Sequence, residues 1–404
     1  MNLIILILLF LIGLISIFYF TYFSLNIYKS KRHNTFRKEV IFPKISLIIP
    51  TYNEEKIISQ KLENIKDIDY PKKMLEVLVV DSNSSDSTQE IVKDLIHHNC
   101  GSEFKMRLIY QKLRMGKASA INFALQHSEG EICIISDADT TFEKNSVTKL
   151  VENFADPLVG AVSGKLVIIN DDQSSISKLE KKYRNILDIL RVGESNMDST
   201  PIFNGQLMGF RRNLFQELGE ETIADDTEIG IKIRKKGMKA LYAPDAIVYE
   251  YTPIAFNSRM KQKVRRGQGI IQSFVKNKDI LFNSKYGIYG FVIFPCEFFM
   301  HLVSPILVLI ILFLSLVSLS ISPNIILYFG LMAVLLLVLS GLLKVIQKFV
   351  LKSRRAIMDP VDVLGTFLNH QVCLLSGLTL FLLGKNNSKW EKIDEVRKQR
   401  KPQE

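Results

Sequence analysis

Two aspartates, Asp137 and Asp139, flank a single alanine where the apolar run Glu131-Ile-Cys-Ile-Ile-Ser136 ends. Carboxylates at the end of a buried strand are costly unless a cation neutralises them, and a divalent metal held by oxygen ligands is the usual candidate. Asp also ends strands because it suits turns, so the pair alone leaves both readings open. Further residues with chemical potential recur along the chain. Asp81 follows the β-branched run Glu76–Val80, and Thr51 and Glu54 follow Ile45–Ile49. Gly116-Lys117 opens a helical segment, where free backbone N–H groups and an ammonium attract anions. Asp225-Asp226 precedes another helix. Ordinary explanations stand beside each: a turn former for Asp81, a solvated lysine for Lys117 and an N-cap for Asp226.

These residues need a scaffold, and the pattern from Lys44 onward supplies one. Apolar strand-like runs at Ile45–Ile49 (stopped by Pro50), Glu76–Val80, Met106–Tyr110 and Ile132–Ser136 alternate with helical spacing at Glu54–Ile65, Asp86–His97 and Gly116–Gln126. Such alternation predicts an α/β fold with a doubly wound, mainly parallel sheet covered on both faces. Ligands of such sheets bind outside the carboxyl ends of the strands, where Thr51, Asp81, Asp137 and Asp139 fall. A less regular stretch follows, with the turn-rich Phe203-Asn-Gly-Gln-Leu-Met-Gly-Phe-Arg-Arg212 and a helix Thr227–Lys236 closed by Gly237.

Five segments, 46–60 (SLIIPTYNEEKIISQ), 79–88 (VVDSNSSDST), 116–125 (GKASAINFAL), 136–140 (SDADT) and 225–237 (DDTEIGIKIRKKG), resemble in order and spacing the signatures of family 2 glycosyltransferases with a GT-A fold. The resemblance covers about 44–266, and the flanking apolar segments resemble the membrane-integrated branch. It implies that Asp81, with Thr51 and Glu54, contacts the nucleotide of a nucleotide-sugar donor. Ser82 stands where the family often has a second Asp, which leaves the base open. It further implies Mg²⁺ or Mn²⁺ held by Asp139 and Asp137 against the donor diphosphate, Lys117 on the donor, and Asp226 as general base in an inverting displacement. Asp225, Gly205 and Gln206 would line the acceptor pocket. Gln262-Lys-Val-Arg265-Arg266 resembles the Gln-x-x-Arg-Trp segment of processive synthases, with Gln262 facing the acceptor and Arg265 the donor. Arg266 replaces the Trp, which removes the aromatic platform for a growing glycan.

The 404 residues are 47% hydrophobic, enough for one ordinary domain plus membrane segments. Residues 3–27 lack charge and could span a bilayer; they are too long for a signal peptide and no small-x-small cleavage site follows. Lys29, Lys31, Arg32, Arg37 and Lys38 then place the next domain in the cytosol by the positive-inside bias. Candidate spans follow near Leu302–Ile321, Ile325–Leu343 and Val361–Leu383, with Gly290–Met300 in the interface. The net charge of +11 favours anionic lipid over nucleic acid, since no interleaved aromatic and Arg stripe appears. Cys100, Cys133, Cys296 and Cys373 show no metal or disulfide spacing.

The organisation expected is therefore a transmembrane helix (1–28), a cytosolic GT-A domain (44–250), a basic interfacial segment (251–285), transmembrane and interfacial helices (286–384) and a basic tail (385–404). The expected activity is sugar transfer from a nucleotide sugar to a membrane-held acceptor, a polyprenyl-linked saccharide or polyprenyl phosphate. A processive polysaccharide synthase is the nearer rival, and a non-catalytic nucleotide-sugar-binding scaffold the more distant one.

Overall fold

The computed structural model describes residues 3–32, 36–98, 105–170, 175–321 and 360–385. The expected span 325–343, the basic loop 344–355, Cys100 and the tail beyond Lys385, with Trp390, lie outside the described residues.

Helix α1 (Leu3–Ser30) leads to an eight-stranded sheet that begins at Ile45 and ends at Glu250. In chain order its first half is β1 (Ile45–Thr51), α2 (Ile58–Lys66), β2 (Leu75–Asp81), α3 (Thr88–His98), β3 (Lys105–Tyr110), α4 (Lys117–His127) and β4 (Ile132–Ile135). The second half is β5 (Thr140–Phe142), α5 (Ser146–Val151), β6 (Val159–Ile168), α6 (Ser175–Met197), β7 (Met208–Arg211), α7 (Asp225–Lys235) and β8 (Lys239–Glu250). Strand order is β3-β2-β1-β4-β7-β6-β8-β5. The pairs β1/β2, β2/β3, β1/β4 and β6/β8 are parallel; β7 runs against β4 and β6, and β5 against β8. The sheet is thus mainly parallel, as its alternating pattern predicts.

Strands β1, β2 and β4 are buried at every position, as expected where helices cover both faces. Alternate residues feed two separate cores. Leu47, Ile49, Val77 and Val79 pack with α2 and α3 on one face, while Ile48, Leu78 and Val80 meet Ala120, Ile121 and Ala124 of α4 on the other. Pro50 does not stop β1, which continues to Thr51 and pairs it with Asp81.

Beyond the sheet, α8 (Phe256–Lys276) packs along α11 (Pro360–Leu382), and α1 along α6. Gly377 permits the α8 contact: a Cβ there would lie 2.7 Å from the Gln268 backbone nitrogen. Residues 289–303, including α9 (Phe294–Phe298), run without interruption into α10 (Ser304–Ile321) rather than forming a separate helix. Among the described residues, Leu3–Ser30, Tyr289–Ser318 and Leu364–Leu382 are long and apolar enough to cross a membrane. The polar trio of α11 faces protein: Gln371 accepts from Ser304 Oγ at 3.3 Å, Asn369 reaches Met260 Sδ at 3.5 Å, and His370 Nδ1 lies 3.4 Å from Tyr183 Oη.

Candidate active site

The carboxyl ends of β1, β2 and β4 converge, and each delivers side chains named from the sequence. Asp81 Oδ2 accepts hydrogen bonds from the Ser84 backbone N–H at 3.0 Å and Gln89 Nε2 at 2.7 Å. Its Oδ1 is buried without a partner, so an acceptor remains for an N–H or hydroxyl of a ligand. Thr51 is less available: it is buried, and its hydroxyl donates to Val80 O at 3.1 Å. Glu54 lies buried behind the same loop, its backbone N–H donating to Thr88 Oγ1 at 2.7 Å.

The second group assembles around Lys117 at the start of α4. Its Nζ lies 2.7 Å from Asp137 Oδ1 and 3.5 Å from Asp225 Oδ2. Burial would lower this ammonium's pKa, but Asp137, Asp225 and Asp226 together raise it, so it stays charged. Burial pushes the Asp225 carboxyl up to about 6, with Asp226 and Asp137 adding to the rise and Lys117 opposing it. Asp226 adjoins Gly205, where a Cβ would lie 3.3 Å from Asp226 Oδ2 and 3.1 Å from Lys117 Nζ. Arg265 joins from α8; burial lowers its pKa, while Asp225, Asp137 and Asp226 counteract the fall. The structure corrects the N-cap reading of Asp226. Helix α7 begins at Asp225 with Ala224 at the cap, so both aspartates occupy the first turn, where the positive helix end favours carboxylates.

Asp139 has a neighbour that strand-end reasoning overlooked. Glu250 closes β8 as Asp81 closes β2, after the comparable run Ile247-Val248-Tyr249, and pairs in register with Thr140. Burial pushes Glu250 up to about 7, Asp139 and Asp137 raise it further, and Arg184 opposes them. Gln206 Nε2 donates to Glu250 Oε2 at 3.4 Å. Lys61, also overlooked, reaches from α2 beneath the turn, donating to Ser136 Oγ at 2.7 Å and to Thr140 O at 3.1 Å. Gln262 accepts from Arg259, one α8 turn back.

Among the described residues, no three His, Cys, Asp or Glu side chains form a complete metal cage. Asp139 and Glu250 still concentrate negative charge beside Asp137. Hard carboxylates short of a full ligand set suit Mg²⁺ or Mn²⁺, which keep waters and draw remaining ligands from phosphates.

A mainly parallel α/β sheet with a carboxylate and lysine cluster at its strand ends is the architecture of the GT-A fold. Residues 46–219 match the sequence profile of Glycosyl transferase family 2. It is 30% identical over 278 residues to the "Probable glycosyltransferase YdaM" of Bacillus subtilis (strain 168), a match covering 62% of this chain and 63% of that protein. It is 26% identical over 230 residues to the poly-β-1,6-N-acetyl-D-glucosamine synthase of Staphylococcus epidermidis (strain RP62A), covering 56% of this chain and 54% of the synthase. The matches thus span less than two thirds of either relative. A solved structure, the mannosyltransferase PcManGT from Pyrobaculum calidifontis in complex with GDP-Man and Mn²⁺, is 27% identical with a TM-score of 0.77, over 95% of this chain and 100% of that one.

Proposed function

We propose that the chain is a membrane-bound, inverting glycosyltransferase that moves a sugar from a cytosolic nucleotide-sugar donor to a membrane-held acceptor, a polyprenyl-linked saccharide or polyprenyl phosphate. The observation that carries this reading is the convergence of Lys117, Asp137, Asp225 and Arg265 around Asp226 and Gly205. Asp81 Oδ1 would accept from the base or ribose, and Lys117 and Arg265 would hold the diphosphate. Mg²⁺ or Mn²⁺ on Asp139, with Asp137 beside it, would stabilise charge on the departing diphosphate. On a saccharide acceptor, Asp226 takes the hydroxyl's proton as the acceptor oxygen attacks the sugar and the nucleoside diphosphate leaves; a phosphate oxygen, already ionised, attacks without that proton transfer, and either single displacement inverts the anomeric centre. Gly205 lies close against Asp226 and Lys117, where a side chain would crowd both, and Gln206 and Asp225 would complete the acceptor side.

The three apolar helices support membrane attachment with several crossings, and the basic residues after α1 support a cytosolic domain. Likeness to the S. epidermidis synthase favours a second reading, processive synthesis with product translocation, against which Arg266 counts. A panel of UDP- and GDP-sugars, assayed for transfer with native membrane lipids and Mn²⁺, tests the proposal. Transfer from one donor with inverted product configuration supports it; nucleotide-sugar binding with neither hydrolysis nor transfer across the panel would leave a non-catalytic binder.

A further inference from the structure

Cations of α6 and α8 gather among buried carboxylates: Arg191 faces Glu194 and Glu297, and Arg184 and Arg259 face Glu250. Helix α6 carries Glu180, Arg184 and Arg191 on one face, and α8 carries Arg259, Lys263 and Arg266 on one face, by their helical spacing. Glu180 alone answers three of them: Arg184 Nε and Lys263 Nζ each approach it at 3.2 Å, and Arg259 pairs with it as well. Asp188, on the same side of α6, is engaged by Lys165 at 3.2 Å and by Tyr242. Arg191 Nη1 and Arg266 Nη2 both donate to one neutral acceptor, Asn204 Oδ1, at 2.9 and 3.4 Å. The Nε of Arg259 is buried without a hydrogen-bond acceptor, and Arg259 is only 5% exposed. Burial lowers Arg266 to about 10, and Arg184 and Arg191 contribute by repulsion. Asn204 directly precedes Gly205, the residue against Asp226. On the other side, Tyr183 meets His370 of the apolar helix α11.

We infer that Arg184, Arg191 and Arg266 form a phosphate-binding subsite for the acceptor, between the Asp226 cluster and the membrane helices. Guanidinium forks match phosphate oxygens in pairs, and a phosphate would give Arg191 and Arg266 a charged shared partner in place of the neutral Asn204 Oδ1. The inference rests on the glycosyl transfer proposed above and specifies its acceptor as a phosphate-bearing lipid chain. Arg266 then acts as an anion clamp where an aromatic platform would hold a neutral glycan.

The full chain in phosphatidylcholine nanodiscs, with EDTA and no nucleotide, is titrated with farnesyl phosphate, farnesol and inorganic phosphate. Farnesyl phosphate is expected to bind at least about 10-fold more tightly than farnesol, with inorganic phosphate competing weakly. Arg266→Gln and Arg184→Gln should bring the two lipid affinities together, and Arg266→Lys should restore part of the difference. Equal affinities in the wild type, or folded Gln variants that keep the preference, overturn the inference. If Arg184→Gln fails to fold, Arg266→Gln and the wild-type comparison still decide. Inorganic phosphate binding as tightly as farnesyl phosphate, or phosphatidylglycerol nanodiscs abolishing the preference, would assign the site to free phosphate or bulk headgroups and overturn the acceptor assignment. Donor-panel transfer without a phosphate preference sinks this inference alone; the preference without transfer sinks the transfer reading alone.

Discussion

Asp139 and Asp226 belong to one cluster but should fail in different ways. Asp139→Asn removes a charge from an oxygen site already short of ligands, so Mn²⁺-dependent nucleotide binding should fall sharply with the fold intact. Donor titration with and without EDTA checks this, and wild-type binding that ignores EDTA would rule it out. Asp226→Asn should keep donor binding and lose turnover by about 10²-fold or more, because an amide cannot take the proton. Normal turnover with a stability loss of ~1 kcal/mol would instead mark a residue that only supports the helix start. Asp225 gives a pH signature. Its folded pKa of about 6 lies above the ~3.9 of an unfolded Asp, so the native state binds its proton more tightly. That stability is fully present below about pH 4 and is lost as pH rises through about 6. Asp225→Asn, which has no charge to bury, should gain on the order of 2 kcal/mol over wild type between pH 4 and pH 8, read as diverging Tm values across that range.

The sheet brings the strand ends together, but α2 sets the shape of the Asp137-Ala138-Asp139 turn through Lys61. This ammonium is 1% exposed, bonds both ends of the turn and lies 3.8 Å from the Phe142 ring centroid. Lys61→Met should loosen the turn, raising the metal concentration needed for half-maximal nucleotide binding by about 10-fold at a stability cost of about 3 kcal/mol, because hydroxyl and carbonyl acceptors lose their buried donor. Metal titration monitored by nucleotide binding, together with a melting curve, checks both effects; an unchanged metal requirement in a folded variant would confine Lys61 to packing. Lys61 was illegible in the sequence because a lysine in an amphipathic helix ordinarily points to water. Strands β1, β2 and β4 were legible because fully buried parallel strands must be continuous apolar runs, and polar residues mark their ends.

At the scale of the whole molecule, the question is how long the product grows. A processive enzyme must retain its glycan between additions, and stacking on an aromatic face is one physical means. Arg266 offers no such face, and it contacts Asn204 beside Arg191. Addition of one or very few sugars per acceptor is therefore expected at high donor excess, with Arg265→Ala impairing donor binding or acceptor use. Mass spectrometry of the products reads chain length, and a ladder of tens of sugars on single acceptors would overturn the expectation.

The sequence by itself determined the alternating α/β order, the apolar ends and the short motifs at strand ends, because periodicity and turn chemistry are local properties. Only the tertiary structure decided the antiparallel placement of β7 and the contact of Gln262 with Arg259. It alone joined Glu250 to Asp139 and the arginines of α6 to Arg266, across gaps of many residues. Such pairings depend on how distant helices and strands pack, and charge compensation between them leaves no periodic trace in the chain.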